Sequence, residues 1–418
     1  MSNYITHLHA ENIGVFEKLD ISFGKGFNFI VGPNGSGKTS ILKCIALALN
    51  PINLKSLRYG QDSEVWFENS YNEQKYRIGL GKHWVSNIDG YRNATFTSYM
   101  KPTIQENVES LTVHDIETLN LNIAPLFLGA YRRIEYVRIS GTTREASVTE
   151  QRKLYHSSSL KNIEGGAMPN VKQWMINRYY EMDKEWAAVF KSNWDWIFQN
   201  LINICPSNCN LQFKDIKRDL EPMFTMQEVD CYIEELSAGF QSVLSMVFAI
   251  VEWIEGTNEE EIAYIKDAEG TVIIDELDAH LHPEWQLIIR KALSTIFPKL
   301  QFIITTHSPH LIATAESGEI IVLPELKRTL SLKPTEKTYV GWNTDQILED
   351  VMGVKNLENK KYAILLDEAM NAVEKKDRTE LNRIINEIKN VVHPSNTILH
   401  VLQIKLAQLE LEEDNDLD

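Results

Sequence analysis

The chain has 418 residues, a net charge of −16 from 42 Lys plus Arg against 58 Asp plus Glu, and 43% hydrophobic residues. That composition suits a folded chain of about two or three domains and excludes disordered and fibrous classes. The acid surplus also excludes coating DNA or an anionic membrane with the whole surface, so any nucleic-acid contact must be a local patch. Met1-Ser2-Asn3-Tyr4-Ile5 lacks the basic-then-apolar order of a secretory signal. The longest nearly unbroken apolar run, Val243 to Ile254, falls short of a bilayer span. A cytoplasmic location with no membrane partner is expected. The four cysteines, Cys44, Cys205, Cys209 and Cys231, are too few and scattered for a disulfide framework. Cys205 and Cys209 have no second ligand pair, so no metal site is expected there.

In chain order, the β-prone run Phe27 to Val31 leads into Gly32-Pro33-Asn34-Gly35-Ser36-Gly37-Lys38-Thr39-Ser40 and then the helix-like Ile41 to Leu49. Strand, glycine-rich loop and helix are the context that makes G-x4-G-K-[ST] a phosphate loop. Its backbone N–H groups wrap a phosphate at the positive end of the helix dipole. Lys38 would reach the β- and γ-phosphates of a bound nucleotide, and the Thr39 hydroxyl would take a position on Mg²⁺. Next, Ser63 to Glu68 and Gln74 to Leu80 read as a β-hairpin around Asn69 to Glu73. The strand-like Leu126-Phe127-Leu128 closely precedes Arg132 and Arg133, for which serving the nucleotide is the alternative to membership of a basic segment.

Between Leu128 and Asn162, Arg132, Arg133, Arg138, Arg144, Arg152, Lys153 and Lys161 outnumber Glu135, Glu145 and Glu150. This segment is either a phosphate-backbone contact or a solvated loop. From Val171 to Phe198 an aromatic, helical lobe includes Trp174, Met175, Tyr179, Trp186 and Trp194. Its rings read as core or interface, with base stacking as the sharper alternative. No sustained heptads occur in the long interval before Leu236, which excludes a coiled-coil arm.

Leu236-Ser237-Ala238-Gly239-Phe240-Gln241-Ser242 opens the helix that continues through Ile254. The buried strand Thr271 to Ile274 ends in Asp275-Glu276, where Asp275 holds Mg²⁺ and Glu276 polarises the attacking water. Leu277-Asp278-Ala279-His280-Leu281-His282-Pro283 follows, and a further strand from Leu300 ends in Thr305-Thr306-His307. The remainder holds no nuclease motif. Lys361 to Leu411 reads as two helices broken near His393-Pro394-Ser395, with apolar stripes through Ala369, Ala372, Leu381, Ile384, Ile385 and Ile388 and through Ile398, Val401, Leu402, Leu406 and Leu409. The tail from Glu410 to Asp418 is acidic and expected to be disordered.

The order of Gly32 to Thr39, Leu236-Ser237-Ala238-Gly239, Asp275-Glu276, Asp278 and His307 resembles the soluble ABC-type ATPases of the RecF, SMC and OLD branch. The resemblance covers about a third of the chain. It implies an α/β fold: an ABC-type P-loop head at 1–50 and 236–330, an inserted β-hairpin and helical lobe at 51–235, and a C-terminal helical pair with acidic tail at 331–418. It further implies that Ser237 and Gly239 contact a γ-phosphate in a second copy, making the protein at least a dimer. Asp278 would link two active sites, and His307 would be the switch histidine. Ala238 stands where the family's first signature glycine is usual, which weakens a transporter reading most. Gln61, Gln74 and Gln105 are the candidates for a Mg²⁺-sensing glutamine.

The wording Asp275 to Pro283, Ile304 to Ile312, Ala130 to Arg133 and Gly341 to Leu348 resembles ATPases of bacterial anti-phage defence, most of all those of Septu-type systems, with PARIS-type systems as near rivals. That resemblance implies an ATP-hydrolysing sensor subunit controlling a separately encoded effector nuclease, of HNH type if Septu-like. The alternative is a RecF-like repair ATPase acting as a DNA clamp.

Overall fold

The computed structural model describes residues 2–415 apart from 52–55, 87–94, 166–169, 207–208, 260–261, 326, 355–359 and 395. Five short strands, Leu126–Leu128, Thr271–Ile274, Gln301–Thr305, Phe27–Val31 and Ile320–Val322, form a parallel sheet in that spatial order. Their residues alternate between two cores. Phe27, Phe29, Val272, Ile274, Phe302 and Ile304 face one, while Ile30, Ile273, Ile303 and Phe127 face the other. With both faces covered, each strand reads as a continuous apolar run rather than an alternating one. Leu126–Leu128, assigned by sequence to the insert, is an edge strand of this sheet, paired with Val272 to Ile274. Three residues carry too little pattern to show that membership beforehand.

Packed on the second core is a six-stranded, mainly antiparallel sheet in the order Thr329–Leu332, Phe16–Ser22, Asn3–Ile13, Glu64–Tyr71, Gln74–Leu80, Glu109–Leu111. The expected hairpin supplies two of its strands, turning at Asn72 and Glu73 with φ of 51° and 68°. Both turn residues have the positive φ of a tight two-residue hairpin turn. The hairpin is thus part of a larger sheet that includes the N-terminal strand.

The basic segment is partly helical: Val148–Ile163 starts at a Ser147/Glu150 capping box. Arg152 is buried there, donating to the Thr257 carbonyl at 2.8 Å and the Asn120 carbonyl at 3.2 Å. It is closed to a phosphate backbone, whereas Arg133, Arg138, Arg144 and Lys153 are exposed. The aromatic lobe is two helices, Val171–Glu181 and Ala188–Ile204, with Trp174 and Trp194 buried and Trp186 exposed. The Ala238–Thr257 helix is long and apolar enough to cross a membrane as a whole, but 83% of its apolar window is buried. It is the central helix of the first core, which is why it is apolar all round.

The chain divides into two compact units, Met1–Gly353 and Val354–Asp418. In the second, the expected helical pair is three helices, Lys360–Glu374, Arg378–Lys389 and Thr397–Asn415. The extra break falls at Lys376, with φ of 54°, and Asp377, whose side chain accepts from the Glu380 N–H as an N-cap. Leu365, Ala369, Leu381, Ile384, Ile385, Ile388, Leu399 and Leu402 form the core of this unit. Ile398 and Val401 of the second stripe are exposed. The acidic tail is helical as far as Asn415, continuing the preceding helix, and Ser395 and residues 416–418 lie outside the described residues.

Candidate functional site

The five parallel strands end at the same edge, and the residues following three of them, Phe27–Val31, Thr271–Ile274 and Gln301–Thr305, build the site. The carboxyl edge of such a sheet is where α/β folds present ligand-binding loops. After Val31 come Gly32 to Gly37 and the helix Lys38–Leu49. Gly37 has φ of 96°, and a Cβ there would lie 2.8 Å from Phe16; a Cβ at Gly32 would lie 2.6 Å from the Leu323 carbonyl oxygen. Glycine is therefore required at both, by conformation and by space. Lys38 is buried and its Nζ donates to the carbonyls of Gly32 at 2.8 Å and Pro33 at 3.0 Å. Ser36 is also buried, and its hydroxyl has no partner. Asn34 and Gly35 are exposed at the loop tip, and Ser40 is half-buried in the first helical turn.

After Ile274, Asp275 receives the Thr39 hydroxyl at 3.1 Å to each carboxylate oxygen and the Thr305 hydroxyl at 2.5 Å. Thr305 also accepts from the Glu276 N–H at 2.8 Å. One threonine at the end of a neighbouring strand thus fixes both carboxylate residues, a role its sequence context did not reveal. Glu276 has φ of 49°, an unusual backbone for a residue with a side chain. Asp278 accepts from the Thr306 hydroxyl at 2.6 Å and the His307 N–H at 3.1 Å. The structure therefore gathers Gly32 to Ser40, Asp275, Glu276, Asp278 and His307 at one edge.

The electrostatics agree with that gathering. Burial holds the Lys38 ammonium below its usual pKa, opposed by the charges of Glu276, Asp275 and Asp278. Burial, then the nearby Lys38 charge, lowers the pKa of His307, which favours the neutral ring.

Ser237 and Gly239 are not part of this cluster. Ser237 is the exposed N-cap of the Ala238–Thr257 helix without a side-chain capping bond. Among the described residues, no hydrogen bond joins it or Gly239 to the phosphate loop. A Cβ on Gly239 would lie 3.4 Å from the His280 carbonyl oxygen, so the signature segment borders the turn after Asp278. Gln241 anchors this start, its side-chain amide donating to the carbonyls of Glu234 and Leu236 at 2.8 Å each.

Arg132, an alternative candidate for serving the nucleotide, is buried, and its guanidinium donates to the backbone carbonyls of Asp275 and Glu276. Gln74 and Gln105 are engaged on the antiparallel sheet, Gln74 with Glu109 and Tyr76 and Gln105 with Arg77. Gln61 is exposed, its carbonyl accepting from the His83 N–H. Sequence reasoning also missed a cavity of about 410 Å³ beside the loop, lined by Val15, Phe16, Arg58, Tyr59 and Arg328 among others. Phe16 is the residue against which Gly37 packs, so the cavity adjoins the loop. Its walls come from three distant segments without a motif.

The donor chemistry fits a nucleotide with Mg²⁺. The unpartnered Ser36 hydroxyl and the glycine backbone suit a phosphate, and Thr39 and Asp275 offer only hard oxygen donors. Among the described residues no group of three or more His, Cys, Asp or Glu could hold a metal by itself. Mg²⁺ is commonly held by one or two protein oxygens together with substrate phosphates, which matches this sparse set.

A family model described as "AAA domain" matches residues 7–236, more than half the chain. The chain belongs to that AAA-domain family. A second model, described as "AAA domain, putative AbiEii toxin, Type IV TA system", matches residues 229–313 of this AAA-domain chain. Septu protein PtuA of Bacillus thuringiensis is 26% identical over 414 residues, covering 97% of this chain and 98% of that one. Septu protein PtuA of Bacillus mycoides is 25% identical over 90% of this chain, and a probable ATPase of retron Ec83 from Escherichia coli is 27% identical over 58%. The chain spans 49% and 43% of the length of those two relatives.

Proposed function

We propose that this chain is the ATP-hydrolysing sensor subunit of a bacterial anti-phage defence complex, dependent on Mg²⁺, that controls a separately encoded effector nuclease. The observation that carries the biological part is the likeness to a Septu PtuA along nearly the whole of both chains. The convergence of Thr39, Asp275, Glu276 and His307 supports the chemical part.

In this reading the ATP phosphates lie on the backbone N–H groups of Asn34 to Thr39, with Ser36 donating its hydroxyl. Lys38 leaves the carbonyls of Gly32 and Pro33 and takes phosphate oxygens in their place. Thr39 and Asp275 would hold Mg²⁺, which offsets phosphate charge when bound. Glu276 accepts a proton from water as the water oxygen bonds to the γ-phosphorus and the bond to the ADP oxygen breaks. His307, kept neutral, orients the same γ-phosphate. Ser237 and Gly239 of a second copy close the site, and Asp278 lies where the two copies meet. The cavity beside Phe16 takes the base and ribose, with Tyr59 offering a ring and Arg58 and Arg328 offering charge.

The test has two arms. In the full-length protein, Glu276→Gln is expected to retain ATP binding and accumulate the ATP-bound closed oligomer, and EDTA is expected to stop turnover of the unaltered protein. Normal turnover by Glu276→Gln overturns the base assignment. Co-expression with the adjacent gene followed by pull-down is expected to capture a nuclease; a solitary protein whose ATPase is stimulated by DNA would favour the DNA-clamp alternative. In that case charge reversal at the exposed Arg133, Arg138, Arg144 and Lys153 would weaken DNA binding at low salt.

A further inference from the structure

Arg132 is 1% exposed, and both terminal nitrogens of its guanidinium donate to backbone carbonyls. Nη1 donates to the Gly129 carbonyl at 2.6 Å and the Asp275 carbonyl at 2.9 Å. Nη2 donates to the carbonyls of Glu276 at 2.8 Å and Leu277 at 3.2 Å. Three of these four carbonyls, those of Asp275, Glu276 and Leu277, are consecutive and bracket Glu276, the residue with φ of 49°. A side-chain-bearing residue remains in that region only where its surroundings over-determine it. The planar fork of five donors suits such a fan of acceptors, and an ammonium does not reproduce it.

The remaining contacts run to the helix that begins just after Ser237. Arg132 Nε donates to the Ser242 hydroxyl at 3.3 Å, and the Arg132 carbonyl accepts from the Ser245 hydroxyl at 3.4 Å. Farther along the same segment, the Tyr136 ring lies 4.7 Å from Lys172 Nζ. Lys172 pairs with Glu234 at 2.9 Å, and the Glu234 carbonyl accepts from Gln241. One short stretch, 132 to 136, thus ties the Asp275–Leu277 turn to both the lead-in and the first turns of the Ser237-bearing helix.

We propose that Arg132 is the positioning residue for hydrolysis: by clamping the carbonyls of Asp275, Glu276 and Leu277 against the Ala238–Thr257 helix, it sets the backbone from which the Glu276 carboxylate meets the attacking water. It touches neither nucleotide nor water itself. This rests on the reading of Glu276 as the base.

The experiment measures steady-state hydrolysis and equilibrium ATP binding for full-length Arg132→Ala and Arg132→Lys, each alone and combined with Glu276→Gln. Arg132→Ala is expected to lower kcat about 100-fold, the scale on which small misplacement of a catalytic group acts. The Kd for ATP is expected to stay within about threefold, because an effect confined to the transition state leaves ground-state binding intact. Arg132→Lys is expected to fold and recover less than about tenfold of the lost kcat. In the Glu276→Gln background neither substitution is expected to lower kcat further, since both act through the same carboxylate. An equal loss of kcat in both backgrounds, or a loss confined to Kd, overturns the proposal. Should Arg132→Ala fail to fold, Arg132→Lys carries the same comparisons. Wild-type turnover by Glu276→Gln alone would instead remove the base reading and the proposal with it.

Discussion

At the scale of single residues, Lys38 is charged, buried and surrounded by three carboxylates and a histidine whose pKa it depresses. Lys38→Ala is expected to weaken ATP binding severely, about 100-fold or more, since a charge-assisted contact in a desolvated loop is lost. The same change removes the positive neighbour of His307, so the His307 pKa should rise toward the ordinary 6.5, as read by an NMR titration of the ring. The sign follows from a depressed folded value: the neutral form is favoured, and its stabilising effect is lost as pH falls through that value. A fall in the His307 pKa on removing Lys38 would contradict the geometry. The gathering of Lys38, Thr39, Asp275 and Glu276 at one sheet edge was legible in the sequence because each lies in a local strand-loop pattern. The work of Thr305 and Arg132 was not, because their partners are a carboxylate and carbonyls supplied by other segments. Arg152 misled for a related reason: a charge pattern assumes that charged groups face water, and this one is buried on the Thr257 carbonyl.

At the scale of elements, the helix Lys38–Leu49 depends on its glycine N-cap. Gly37→Ala would meet Phe16 at 2.8 Å and adopt φ of 96°. It is expected to lower stability by about 1–3 kcal/mol and to abolish ATP binding, measured by urea unfolding and by equilibrium binding. The Ala238–Thr257 helix carries a different liability. Burial, reinforced by Glu145, raises the Glu252 carboxyl to about 7, and its Oε2 has no partner. Between the ordinary 4.5 and about 7 the folded chain keeps a proton that the unfolded chain releases, so stability falls as pH rises through that window. Glu252→Gln is expected to flatten this dependence, an effect on the order of 2 kcal/mol between pH 5 and pH 8, read from urea midpoints. An unchanged pH dependence would show that Glu252 is not its source. Strong periodic elements such as this helix were plain in the sequence, whereas the break at Lys376 was not: the helix-favouring residues around it conceal one left-handed residue and an N-cap.

At the scale of the whole molecule, the acid surplus resolves into parts. Carboxylates such as Glu255, paired with Arg178 at 2.6 Å, are interior. Exposed arginines include Arg133, Arg138 and Arg144 but also Arg58, Arg218, Arg328 and Arg383. Net charge therefore says little about which face meets a partner. The buried strands of the parallel sheet were foreseeable from their apolar runs, but the sequence pointed to a mixed sheet, and its extent was hidden because an edge strand of three residues belongs to it only through pairing with Val272 to Ile274. Nor could the cavity beside Phe16 be foreseen, since Arg58 and Arg328 meet only after folding.

The left-handed backbone at Glu276 sets two selective pressures against each other. Glycine would occupy φ of 49° without steric cost, yet glycine has no carboxylate. A library screened for heat resistance alone should therefore drift toward Glu276→Gly, gaining durability while losing turnover. On the proposed reading of Glu276 as the base, a lineage that keeps glutamate at this point accepts a less durable fold in exchange for hydrolysis.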